Sequence, residues 1–280
     1  MSEFLDGKLK LFPPEILFHT NHDFMRLGKI TIFPIKSLDG ISVAEATITA
    51  GGILQGDRVY AIFDEQGGVV NGKRTPRVHE LRCAFDDGIR EVRLWEDGGG
   101  RPEQFSFEAP AALNRWLSAF FGFAVELRHE PKAGFPDDLT AFGPTVVSEA
   151  SVQSVGRWYP GLDLENVRRR FRTNLEVLDG PAFCEDALFG EADELKRFHI
   201  GSVAFLGHNP CQRCAVPTRD PASGQGTAGF QKQFMEWRRQ EIPPWANQQR
   251  FNHYYRFAVN TSIPADQAGK CLRIGDEVVI

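Results

Sequence analysis

His208-Asn209-Pro210-Cys211-Gln212-Arg213-Cys214-Ala215-Val216-Pro217-Thr218-Arg219-Asp220-Pro221 gathers two cysteines, two arginines and three prolines in fourteen residues. Proline lacks an amide donor and opposes a regular helix. The residue before each proline is pushed toward extended backbone. The two thiols are therefore expected on a stiff, loop-like segment. Cys214 follows Arg213 directly, and a neighbouring guanidinium favours thiolate over thiol. A soft, anionic sulfur on a fixed loop suits a metal or an electrophile. Other readings stand beside this one. Free cysteine is among the most buried residue types. A structural zinc site takes four ligands. Cys211 and Cys214 supply two, Cys83, Cys184 and Cys271 lie alone, and His199 or His208 would have to complete the set. A thioredoxin-like redox pair belongs beside a βαβ pattern, which the chain does not offer.

The chain around this stretch is that of an ordinary soluble globular protein. Its 280 residues make one large or two modest domains. Hydrophobic residues are 42% and charged residues 25%, a balance that supports a sizeable core. The net charge of −5 argues against a nucleic-acid or membrane-surface partner. Five cysteines without close, even spacing do not make a disulfide framework, which points to a reducing, cytoplasmic setting. Met1 to Lys10 carries Glu3 and Asp6 and reads as neither a signal peptide nor a transit sequence. No apolar run approaches a membrane span.

Taken in order, residues 1–27, with Pro13-Pro14, read as an extension. A β-rich run over 29–35 ends in Lys36-Ser37, and further β-rich segments follow at 41–49, 58–64, 79–85, 90–95 and 104–108. Gly67-Gly68 is a hairpin signal. Short strands at this spacing imply a barrel or sandwich. Pro110 opens a helix whose Leu113, Trp116, Leu117 and Phe120 share a face, with Gly122 ending it. Residues 131–145, rich in Gly and Pro, form a long loop. Ser148 caps a second helix reaching Tyr159. A second β-rich half is expected at 171–178, 195–207, 251–259 and 271–280. A helix over about 230–241 interrupts it, with Phe230, Phe234 and Trp237 facing the core.

Basic residues recur at strand ends and tight loops: Lys36, Arg58, Lys73, Arg74, Arg77, Arg172 and Arg213. Their ordinary role is a solvated face. Arg58 follows Gly56-Asp57 and precedes a strand. In Arg168-Arg169-Arg170-Phe171-Arg172-Thr173-Asn174 a strand would put Arg170, Arg172 and Asn174 on one face. Converging arginines with Lys36-Ser37 suit a phosphate or other oxyanion. No Walker loop or dinucleotide fingerprint is present.

These residues carry a family resemblance. Pro34-Ile35-Lys36-Ser37 and Asp57-Arg58 resemble the N-terminal β-barrel that precedes MOSC domains. Arg170-Phe171-Arg172-Thr173-Asn174, Glu185-Asp186 and Cys211-Gln212-Arg213-Cys214, with Thr218, Asp220-Pro221 and Gly224, resemble the MOSC domain itself. The likeness runs from about Leu27 to Ile280. It implies an α+β, β-rich fold: a MOSC-type β-barrel over 123–280, a smaller N-terminal barrel over 28–122, and a few peripheral helices. It implies the molybdenum cofactor (molybdopterin) as ligand, with Cys214 as metal ligand and catalytic residue. Lys36, Ser37, Arg58, Arg172, Asn174, Gln212 and Arg213 would be cofactor contacts. The family is also associated with pyridoxal phosphate binding. The implied activity is reduction of N-oxygenated small molecules with electrons from an external donor protein of iron–sulfur, flavin or cytochrome type. The alternatives are a cofactor or sulfur carrier without turnover, and a zinc-stabilised β-barrel interaction protein. Thr140-Ala141-Phe142-Gly143-Pro144 departs from the family's Asp-Thr-Ser-Pro or Asp-Gly-Tyr-Pro. Neither the membrane anchor of mitochondrial relatives nor the ferredoxin-like domain of some bacterial ones is expected.

Overall fold

A computed structural model describes residues 25–280. The expected extension with Pro13-Pro14, and the reading of Met1 to Lys10, lie outside the described residues. Residues 26 and 27 already belong to the strand Arg26–Ile32. The β-rich runs become strands, and the chain is mixed α+β, as the resemblance implied. One sheet has eight strands. Their order is Val278–Val279, Lys196–Ile200, Val203–Gln212, Arg256–Ser262, Val146–Ser148, Leu175–Leu178, Arg26–Ile32 and Ile41–Val43. Only Val146–Ser148 and Leu175–Leu178 are paired in parallel. A parallel pair needs a crossover, which the helices Glu149–Trp158 and Leu164–Phe171 provide, so one strand–helix–strand unit is present where the sequence offered no such pattern.

Smaller sheets pair Glu45–Thr47 with Cys271–Arg273 and Tyr60–Asp64 with Val125–His129. Another joins Leu81–Phe85, Glu91–Glu96 and Glu103–Ser106. Three hydrophobic clusters hold these layers. One mixes Leu27 and Ile30 with Val146, Phe205 and Val259. A second draws only on residues between Ile35 and Leu127. The third packs Phe171, Phe230, Phe234 and Phe257 beneath the helices. Strands from residues 26–47 are thus hydrogen-bonded to the C-terminal half, whereas residues 35–127 also build a core of their own.

Several local readings hold. Ala111–Phe121 is a helix with Leu113, Leu117 and Phe120 buried. Gly122, at φ 80°, closes it by donating its N–H to Ser118 O at 2.9 Å. The missing Cβ permits that left-handed turn. Ser148 caps Glu149–Trp158, its Oγ accepting from Ser151 N at 3.1 Å. The Gly67-Gly68 turn brings Asp64 N to 2.9 Å from Gly68 O.

Three readings are corrected. Residues 164–171 are helical, so Arg170, Arg172 and Asn174 do not alternate along a strand. Arg170 is on the helix, Arg172 is its left-handed C-cap at φ 52°, and the strand begins at Leu175. Asp163, as N-cap, starts that helix by accepting from Asn166 N at 2.7 Å. Second, the cysteine stretch is not wholly loop, because Val203–Gln212 carries Pro210 and Cys211 inside a strand. Register shifts at Gly207/Asn209 and Pro210/Gln212 absorb the proline. Third, Phe230 and Phe234 are buried in the helix Phe230–Gln240, but Trp237 is 40% exposed. Arg238 is buried instead, paired with Asp186 and lying 4.0 Å over the Phe183 ring.

Candidate functional site

Lys36, Ser37, Arg58, Arg172, Asn174, Gln212, Arg213 and Cys214 all line one cavity of about 790 Å³. Its wall carries eleven Lys and Arg residues against four Asp residues. In a chain of net charge −5, that excess is local and focuses a positive field into the cleft.

The backbone that presents these groups is strained. Ser37 (φ 75°), Arg58 (φ 52°) and Arg172 (φ 52°) are non-glycine residues in the left-handed region. Such conformations persist when the surroundings over-determine them, and they cluster at functional sites. Here the surroundings are visible. Arg58 N donates to Phe33 O at 2.8 Å, Lys36 N to Tyr60 O at 2.8 Å, and Phe135 N to Arg58 O at 2.8 Å. Asp57 is buried and ties the same turn together, its Oδ1 accepting from Phe33 N at 2.8 Å.

Arg58 pairs with Asp57 and donates to Asn174 Oδ1 at 3.3 Å. Burial opposes its charge, but Asp57 and Asp137 raise its pKa above the ordinary value. Asn174 is engaged at both ends of its amide. Its Oδ1 also accepts from Thr145 N at 3.2 Å, and its Nδ2 donates to Thr31 O at 3.0 Å. Its visible role is to position Arg58. Arg172 has no carboxylate partner among the described residues. One of its nitrogens bonds Leu38 O, while Nη2 is buried without a partner. Burial, then the nearby Arg58, lowers its pKa to about 10. Both guanidiniums lie over the Phe33 ring, at 5.2 Å and 4.2 Å.

Lys36, expected as a cofactor contact, lies on the cavity wall with its ammonium engaged within the chain. Its Nζ donates to Phe135 O and Pro136 O at 3.0 Å each and pairs with Asp137 Oδ1 at 2.8 Å. An ammonium has three donors, so the 131–145 loop takes all of them. Ser37 lies on the wall beside it, and Gln212 is exposed at the end of its strand.

The thiols are also placed differently from their order in sequence. Arg213 follows Arg–Cys neighbour logic toward Cys214, yet its Nη1 donates to Cys211 Sγ at 3.1 Å. A second Arg213 nitrogen bonds Phe171 O, and its backbone N–H holds Tyr255 O at 3.0 Å. Cys214 Sγ has no hydrogen-bond partner among the described residues. The guanidinium thus steadies Cys211, and Cys214 is the thiol left open to a ligand. The four-ligand zinc set finds no completion. Among the described residues no group of three or more His, Cys, Asp or Glu could hold a metal ion, and His208 Nε2 lies 2.7 Å from Ser262 Oγ.

Sequence reasoning missed Asp137, Asp138, His79, Arg219 and Arg256, all on the same wall. Asp137-Asp138 directly after Phe135-Pro136 was a readable signal, since acids in a Gly/Pro-rich loop lie at the surface of a cleft. Asp138 Oδ1 accepts from Thr140 N at 2.8 Å and Ala141 N at 3.2 Å, and so shapes the stretch that departs from the family pattern. No local signal marks Arg256, which reaches the site from the strand paired to Gln212.

The cavity fits an anionic group held partly through sulfur. Of the nine buried side-chain nitrogens and oxygens without a partner among the described residues, five belong to wall residues: His79 Nε2, Arg82 Nε, Arg172 Nη2, Arg213 Nε and Arg256 Nε. Buried polar atoms are ordinarily satisfied, so these unmet groups set the wall apart from the rest of the described interior.

Comparison with known proteins agrees in placing the chain. Residues 24–111 match the MOSC N-terminal beta barrel domain and residues 144–279 the MOSC domain. Mitochondrial amidoxime-reducing component 1 of Mus musculus is 38% identical over 240 residues, covering 71% of this chain and 66% of that protein. Its Homo sapiens counterpart is 25% identical over 236 residues, covering 71% and 67%. Molybdenum cofactor sulfurase of Drosophila grimshawi is 23% identical over 256 residues, covering 80% of this chain and 32% of the relative. The chain thus spans about two thirds of the length of the amidoxime-reducing relatives and about a third of the sulfurase. No described helix is long and apolar enough to cross a membrane. On the two matched regions and these relatives together, the chain belongs to the MOSC family, with an N-terminal beta barrel domain ahead of the MOSC domain.

Proposed function

We propose that the cavity holds the molybdenum cofactor and that the protein reduces N-oxygenated small molecules, such as amidoximes and N-hydroxylated bases, in the cytoplasm. The observation that carries this reading is the placing in one cleft of a thiol without a hydrogen-bond partner, Cys214, and a guanidinium with no carboxylate within 4.0 Å, Arg172, among the described residues. Cys214 would give the metal its thiolate. Arg172 and Arg58 would take the phosphate, with Ser37 beside them, Asn174 holding Arg58, and Gln212 and Arg213 closing the wall. When bound, the molybdenum would supply oxygen-atom removal and two-electron exchange. Release of the oxygen as water takes two electrons and two protons. The chain has no dinucleotide fingerprint, so the electrons would come from a separate iron–sulfur, flavin or cytochrome protein through a small contact. The division into 28–122 and 123–280 is kept as part of this reading, with strands from 26–47 shared between the halves. Lys36 Nζ, engaged by two carbonyls and Asp137, is not free for a Schiff base with pyridoxal phosphate.

The carrier alternative has one observation in its favour, the Arg213 guanidinium at 3.1 Å from Cys211 Sγ. That contact sets a fixed cation against Cys211 Sγ, the sulfur that would carry a persulfide. Turnover separates the two readings. Molybdenum-loaded protein is expected to reduce an amidoxime with reduced methyl viologen and not with NADH alone. Full loading without turnover of any N-oxygenated compound would overturn the reductase reading in favour of the carrier.

A further inference from the structure

A second part of the cavity wall, formed by residues 71–82 facing 216–224, takes no role in the reading above. Four observations gather it. Arg82 and Arg169 both donate to Pro221 O at 3.1 Å. Arg219 Nη1 donates to Gly224 O at 3.3 Å. A Cβ on Gly72 would stand 2.6 Å from His79 Nε2 and 3.5 Å from Val216, and one on Gly224 would stand 3.1 Å from the His79 Cβ. These two glycines let the segments close on the imidazole.

The charges there are unbalanced. Arg82 has Asp39 at 2.8 Å. Arg169 and Arg219 have no carboxylate within 4.0 Å among the described residues. His79 Nε2 is buried without a partner. Burial, and then Arg219, lower the His79 pKa, against a backbone hydrogen bond with Gly72 that raises it, and Arg82 and Arg172 add to the lowering. Two unpaired arginines and an unsatisfied imidazole on a cavity wall form the donor set of an oxyanion site.

We propose that His79, Arg169 and Arg219 form a second anion site in this cavity, so that it takes two phosphoryl groups at once, one here and one at Arg58 and Arg172. The second group would be carried either by a nucleotide extension of the cofactor or by a phosphorylated substrate. The chemistry of the site is the same for both.

The test is calorimetric titration of the full chain, prepared in a host that does not make the cofactor, with inorganic phosphate. Wild type is expected to bind two. Arg169→Gln with Arg219→Gln should lose one, with at least a tenfold drop in its affinity, and keep the one that Arg172→Gln removes. The His79 imidazole proton resonance should titrate at higher pH once phosphate is present, since an adjacent anion favours the protonated ring. A single phosphate in wild type that only Arg172→Gln abolishes would overturn the second site and leave the first intact. Binding abolished only by the Arg169/Arg219 pair would uphold the second site and overturn the first. Nucleotide released one-to-one with molybdenum from acid-treated loaded protein would assign the group to the cofactor. Without it, a lower KM for phosphorylated over unphosphorylated substrate, lost in the double variant, would assign it to the substrate.

Discussion

Lys36 Nζ lies 2.8 Å from Asp137 Oδ1, and this ion pair straps the 131–145 loop across the anion end of the cavity. The Asp137 side chain is 76% exposed, and against a desolvation that would raise its carboxyl, Lys36, Arg58 and Arg172 hold it below the usual carboxylate range. Asp137 therefore acts as an internal counter-ion, in competition with any anion that enters. Replacing it removes the competitor without touching the cations. Asp137→Asn is expected to bind inorganic phosphate about five- to tenfold more tightly than wild type, by the Coulomb energy of a partly screened charge pair. Calorimetry reads this directly, and unchanged or weaker binding would contradict the counter-ion role.

Arg172 should behave as a binding cation that the fold tolerates at a cost. Its pKa falls from the ordinary value to about 10, first through burial and then through Arg58. A cationic group depressed on folding binds its proton less tightly in the folded state, so its charge disfavours folding at every pH below about 10 and is relieved only above it. Arg172→Met is therefore expected to keep or raise the thermal midpoint at pH 7, despite losing the bond to Leu38 O. Phosphate affinity should fall about tenfold or more, the worth of one charge-assisted contact. A large loss of stability with binding retained would make Arg172 a structural residue.

Glu185 gives the fold a pH dependence away from the cavity. Its Oε2 accepts from Ser148 N at 3.2 Å and Ser151 Oγ at 2.9 Å, and its Oε1 is buried without a partner. Burial, then Asp186, raises its carboxyl above the ordinary range. A carboxyl raised on folding holds more protons folded than unfolded, so stability falls as pH climbs from the ordinary carboxylate range through the raised value. Glu185→Gln keeps an acceptor for Ser148 and Ser151 while removing the charge. Thermal midpoints between pH 5 and 8 should decline less steeply in the variant and lie above wild type at pH 8. An identical slope in both proteins would remove Glu185 as its source.

What the sequence allowed to be read, and what it hid, follows from range. Ser148 and Gly122 act on neighbours within four residues, through a cap and a left-handed turn, so their roles were legible. The convergence of Lys36, Arg58, Arg172 and Cys214 on one cavity was legible through the family resemblance, because no local rule joins segments so far apart. Arg172 was placed on a strand because alternation fits the run 170–174. The Asp163 cap and the helix it starts outweigh that pattern. Arg213 bonds Cys211 rather than adjacent Cys214, with its backbone pinned to Tyr255 O, 42 positions away in the same chain. Trp237 lost its expected place to Arg238, whose pairing with Asp186 takes the buried position. The Arg172 outcome is local, set by a cap nine residues upstream, whereas the other two depend on partners more than forty residues away.

The central claim is that Cys214, and not Cys211, holds molybdenum in this cavity. Molybdenum and pterin content of wild type, Cys214→Ser and Cys211→Ser, purified from a cofactor-producing host, tests it most directly. The account predicts comparable metal and pterin in wild type and Cys211→Ser, and loss of most of the metal from Cys214→Ser. Full molybdenum in Cys214→Ser, or its loss from Cys211→Ser alone, would contradict it.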